Sequence, residues 1–127
     1  MPFTSRGRLL RWGIQALFVP LVLWSGPANA REVHVRESQP KAGAIIHGRH
    51  AEYVIYFDGP VDHVASRLRI TEAGRLVEVL NPLFDSAVDV LFASGEAPAA
   101  GQYLLHWEAR SMEGDISVGD IPFNVAP

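Results

Sequence analysis

Beyond residue 30 the chain alternates apolar and polar positions in runs of about five to nine residues, and no stretch keeps a 3.6-residue period. That pattern predicts strands. Val33 and Val35 alternate with His34 and Arg36 until Pro40 to Gly43 break the run. Tyr53, Ile55 and Phe57 make one face of the next strand, which Asp58, Gly59 and Pro60 end. Leu68 and Ile70 alternate with Arg67, Arg69 and Thr71, and Ala73 with Gly74 turns the chain toward Leu76, Glu78 and Leu80. Val88, Val90 and Phe92 follow, closed by a loop from Ser94 to Gly101. From Gln102 to Arg110 the alternation is clearest, with Tyr103, Leu105, Trp107 and Ala109 on one face and Leu104, His106, Glu108 and Arg110 on the other. Trp107 is expected in the core, where an indole buries a large apolar area. The last strand, Val118 to Val125, contains Pro122, which lacks a backbone donor and favours an edge or a bulge. Seven short strands separated by Gly, Pro and Asp turns predict an all-β, two-sheet antiparallel sandwich with Greek-key connections.

The first thirty residues follow a different pattern. Arg6, Arg8 and Arg11 precede an apolar run from Trp12 to Trp24, and Gly26, Pro27, Ala28, Asn29 and Ala30 follow it. A basic segment, a short apolar segment and small residues in an A-x-A arrangement are the parts a signal peptidase reads. The run is shorter than the roughly 18 residues a spanning helix needs. Residues 1–30 therefore read as a secretory signal cleaved after Ala30, and residues 31–127 as a single domain with no membrane span of its own. No Arg-Arg pair marks the twin-arginine route.

Removing the leader changes the charge balance. The chain carries 11 Lys plus Arg and 14 Asp plus Glu; loss of the three leader arginines leaves eight bases against fourteen acids, a formal charge of −6. A nucleic-acid surface needs a basic patch, so this balance argues against one. There is no cysteine, which removes thiolate metal sites, redox motifs and cysteine nucleophiles together and leaves the fold to packing alone.

Three segments in order and spacing carry a resemblance. HVRESQPKAGA (34–44), YVIYFDGPV (53–61) and GQYLLHWEARSMEGDISVGDIPFNV (101–125) together resemble the CopC-type periplasmic copper-resistance family. Gly101, Tyr103, Trp107, Ser111, Gly114, Gly119, Phe123 and Val125 fall at the family's spacing. The resemblance implies a seven-stranded immunoglobulin-like Greek-key β-sandwich, a periplasmic location and copper binding.

The departures from the pattern lie on the ligands. In the family, copper(II) depends on a His at the mature amino terminus together with the Asp and His of an Asp-Gly-His turn. Here that turn reads Glu113, Gly114, Asp115, and Glu32 occupies the place of the terminal His, with His34 two residues later. Copper(II) favours nitrogen-rich square-planar or tetragonal sites, so this is a degenerate one. Its expected ligands are His34, Glu113 and Asp115. Met112 is the only methionine after the leader, too few thioethers for the copper(I) option that some members have.

The remaining histidines have plainer readings. His47 and His50 form an H-x-x-H across a turn marked by Gly48 and Arg49, with no third ligand nearby in sequence. His63 and His106 are expected to be solvated. Two functions therefore compete: a copper-homeostasis protein with a weakened copper(II) site, and a non-metal structural or interaction module of the envelope docking, for instance, on an inner-membrane copper transporter. An enzyme is not expected. No G-x-S-x-G elbow and no GxxxxGK[ST] phosphate loop is present. Cleavage after Ala30 also denies a copper oxygenase its amino-terminal His. The expected state is a monomer.

Overall fold

A computed structural model describes residues 32–127, so the leader expected over residues 1–30 lies outside the described residues. Eight strands form: β1 (Val35–Gln39), β2 (Ala44–Ile46), β3 (His50–Phe57), β4 (Arg67–Glu72), β5 (Arg75–Leu80), β6 (Val90–Glu96), β7 (Gly101–Arg110) and β8 (Ile116–Val125). They make a three-stranded sheet in the order β1-β3-β6 and a five-stranded sheet in the order β2-β8-β7-β4-β5. The result is the expected immunoglobulin-like sandwich. The eighth strand, β2, pairs parallel to β8 over only three residues, too short a run for alternation to reveal.

The core fills the space between the sheets. Tyr53, Ile55 and Phe57 from β3 meet Leu68 and Ile70 from β4, Tyr103, Leu105, Trp107 and Ala109 from β7, and Ile121, Phe123 and Val125 from β8. Trp107 packs edge-on to Phe57, their ring centres 5.4 Å apart. It lies opposite Gly119 in the β7–β8 register, so the indole spreads over a position with no side chain.

Two faces differ from expectation. On β6 the core residues are Leu91 and Ala93 rather than the expected set of Val88, Val90 and Phe92. Apolar residues of both parities occur there, because the outer face is also partly covered: Val54 and Val90 are buried on it. Leu83 donates to the Phe92 carbonyl alongside β6. On β5 a register shift between Ile70 and Thr71 sets Leu76 opposite Thr71, and Leu76 is exposed. Glu78 takes the position opposite buried Ile70.

Pro122 sits within β8, between two neighbours. Its carbonyl accepts from the Gly43 N–H on the β2 side. In extended backbone the N and C=O of one residue point the same way. The missing donor therefore falls where β2 is only beginning, and the ladder to β7 is unaffected.

Candidate metal centre

Two segments carry the expected ligands: His34 precedes β1, beside the end of β3, and Glu113 and Asp115 lie in the turn between β7 and β8. Antiparallel pairing of β1 with β3 brings the start of one against the end of the other. The His34 N–H donates to Asp58 Oδ1 (2.8 Å), and the Asp58 N–H donates to the His34 carbonyl (2.9 Å). Beyond Asp58, Val61 bridges to Ser111, and the Asp62 N–H donates to the Arg110 carbonyl. The 111–115 turn is thereby tied to the segment after β3.

That turn is set by backbone bonds. The Ser111 N–H donates to the Asp115 carbonyl, the Gly114 N–H to the Ser111 carbonyl, and the Asp115 N–H to buried Ser111 Oγ. Gly114 has φ +97°, a conformation side chains rarely adopt, which accounts for glycine at this place in the signature. Arg110 donates to the Gly114 carbonyl. Glu113 and Asp115 project into solvent.

His34 is engaged elsewhere. Its Nδ1 lies 3.1 Å from Asp58 Oδ2, and its Nε2 lies 3.7 Å from Glu32 Oε1. The imidazole thus stands between two carboxylates, with 69% of its side chain exposed. Among the described residues no three His, Asp or Glu side chains converge as a preassembled metal cage. Asp58 is the residue that the sequence reading missed, since Asp-Gly-Pro reads as a turn; only the β1–β3 register sets it against His34.

The Asp58 carboxyl is held below the usual carboxylate range chiefly by the His34 backbone N–H; desolvation, next in size, opposes this, and the His34 ring adds a smaller lowering. A carboxyl whose pKa is lower when folded adds stability above its unfolded pKa of about 3.9, and that stability is lost as pH falls through the folded value. Asp58→Ala should therefore lower the melting temperature at neutral pH, and the gap to the unmodified protein should narrow on acidification from about pH 5 to pH 2. Parallel melting curves across that range would remove Asp58 from this role.

The other histidines divide. His47 and His50 are exposed, and His50 pairs across the ladder with Glu96. His106 faces outward as expected, its Nδ1 2.8 Å from Asp120 Oδ1. His63 is a correction: it is half-buried, with Nε2 3.0 Å from the Ala87 carbonyl and 2.8 Å from that of Val90. The ring pins the chain leading into β6.

The chain is a small two-sheet immunoglobulin-like sandwich with His34, Asp58, Glu113 and Asp115 just outside its strands. Residues 35–126 match the CopC domain, and the chain belongs to that family. The solved structure of CopC from Methylosinus trichosporium OB3b superposes with a TM-score of 0.63 at 25% identity, covering 76% of this chain and 95% of that one. PcoC, a methionine-rich copper resistance protein from Escherichia coli, gives 0.61 at 17% identity over 74% of this chain and 98% of its own. No curated protein matches the chain by sequence.

Proposed function

We propose that the protein is a periplasmic copper(II)-binding protein of the copper-homeostasis type, exported by cleavage after Ala30, with a weakened site assembled from His34, Glu113 and Asp115. Membership of the CopC family over residues 35–126 is the observation that carries this reading. The His34 contacts give it chemical detail. A carboxylate that accepts from Nδ1–H fixes the tautomer and leaves Nε2 to coordinate, the usual arrangement behind a metal-bound imidazole. Asp58 suits that positioning role, and Glu32, beside Nε2, is a further oxygen donor.

One imidazole with carboxylates matches copper(II) less well than several nitrogens, so binding should be weaker than a terminal amine and imidazole would give. It should weaken on acidification, because each donor must be deprotonated to coordinate. Copper(II) titration of the purified protein tests this. Micromolar binding that is lost in both His34→Ala and Glu113→Ala is expected. An unmodified protein that binds no copper at micromolar concentration, or loss of binding by His47→Ala alone, overturns the site.

The second reading is a non-metal interaction module of the envelope that docks on a partner such as an inner-membrane copper transporter. The loss of the turn histidine, where Asp115 stands, favours it. The same titration separates the two.

A further inference from the structure

Away from the copper ligands, at the open edge of the sandwich, β5 of the larger sheet approaches β6 of the smaller. A cleft of about 600 Å³ opens there, lined by Glu72, Glu78, Glu96, Arg75 and Tyr103 with the loop after β6. β5 ends its sheet. β4 pairs along one side, and the other side carries free backbone donors and acceptors. Leu76, Val77 and Val79 are exposed along it. A six-residue edge of this kind, without proline, is a template for another strand.

Charge selects what can add. Arg75 is 3.5 Å from Glu72, whereas Glu78 and Glu96 have no ion-pair partner among the described residues. Glu78 is half-buried and inward-facing, and its Oε2 lies 3.8 Å from where a Cβ on Gly95 would stand. In the core, Tyr53 is fully buried and its hydroxyl has no hydrogen-bond partner. Tyr53 packs on Phe123, which stacks on Tyr103. Burial, then the charges of Glu78 and Tyr103, push the Tyr53 phenol up to about 12, so the hydroxyl keeps its proton and lies within electrostatic reach of Glu78. Self-pairing of β5 centred on Glu78 would set carboxylate against carboxylate, which like-charge repulsion disfavours.

We propose that the β5 edge accepts an extended segment of a basic partner protein, which adds as a further strand and seats a lysine or arginine between Glu78 and Glu96. The backbone supplies affinity and the acidic cleft supplies selection. The apolar positions of the incoming strand cover Leu76, Val77 and Val79.

A terminally blocked peptide of alternating lysine and valine is a suitable probe, titrated into the isotope-labelled protein and followed by backbone amide shifts. Shifts centred on residues 75–80 and 94–99 are expected, weakening with added salt. Replacing lysine by glutamate in the peptide, or methylating its alternate amides, should abolish them. The double variant Glu78→Gln, Glu96→Gln keeps the shape of both side chains and should bind about tenfold more weakly, since charge-assisted hydrogen bonds are lost. The proposal is overturned by no shift with the lysine peptide, by shifts mapping to another surface, or by undiminished binding to the double variant. Dimerisation of the free protein through residues 75–80 would also overturn it, because the occupant would then be a second copy.

Discussion

Trp107→Ala is expected to leave the chain largely unfolded at room temperature, with circular dichroism showing loss of the β signal and no cooperative melt. Trp107 is 8% exposed on β7, the middle strand of the five-stranded sheet, and its indole meets Phe57 from the opposite sheet. Truncation removes contacts on both sides and opens a cavity that two hydrogen-bonded sheets cannot collapse to fill. Such losses cost about 3 to 5 kcal/mol, against about 5 to 15 kcal/mol of stability for a whole domain. A domain of this size falls toward the lower end of that range, and the absence of cysteine leaves no covalent reserve. Trp107→Phe should restore most of the loss. A melting temperature unchanged in Trp107→Ala would show that the ring does not hold the sheets together.

Gly119→Ala should produce the second largest loss, although it adds only a methyl group. A Cβ at this position would stand 2.6 Å from Cζ2 and 2.8 Å from Cε2 of Trp107, closer than real Cβ atoms come. The indole is rigid and backed by Phe57, so ring or strand must shift at a cost of about 1 to 3 kcal/mol. Against this, an alanine restricts the unfolded chain and returns under about 1 kcal/mol. The clash wins. Because the conflict lies between two named side chains, it should be non-additive: in a Trp107→Phe background, the same alanine should cost clearly less. Urea denaturation of the four proteins measures the coupling, and equal costs in both backgrounds would sink this explanation of the signature glycine.

The sandwich was legible where apolar residues of one parity alternate with polar ones. β3, β4 and β7 read correctly because Tyr53, Ile55 and Phe57, then Leu68 and Ile70, then Tyr103, Leu105 and Trp107 each keep to one face. β6 misled for a physical reason, since Val90, Leu91, Phe92 and Ala93 are consecutive non-polar residues and a period of two cannot choose between their faces. At β5 a one-residue register shift moved Leu76 outward, and no local pattern announces a bulge. The candidate site divides along the same line. Ser111 and Gly114 read correctly from their spacing, because a turn is local. The partnership of His34 with Asp58 depends on which strands lie side by side, and residues 24 positions apart carry no mark of it.

The parallel pairing of β2 with β8 has a bearing on how the molecule comes to be folded. Strand β8 is flanked by β7 on one side and by β2 on the other, so it joins residues 44–46 to residues 123–125. The five-stranded sheet consequently has a missing inner member until the final ten-residue strand is available. A chain lacking it would leave the β7 edge without its hydrogen-bonded neighbour and the inner face of β3 without Ile121, Phe123 and Val125. Contacts this distant in sequence form slowly, since the loop entropy is lost before the pairing returns it. Residues 116–125 therefore act as the keystone: collapse into a stable sandwich waits on their delivery, and a deletion that removes them would abolish the fold rather than trim it.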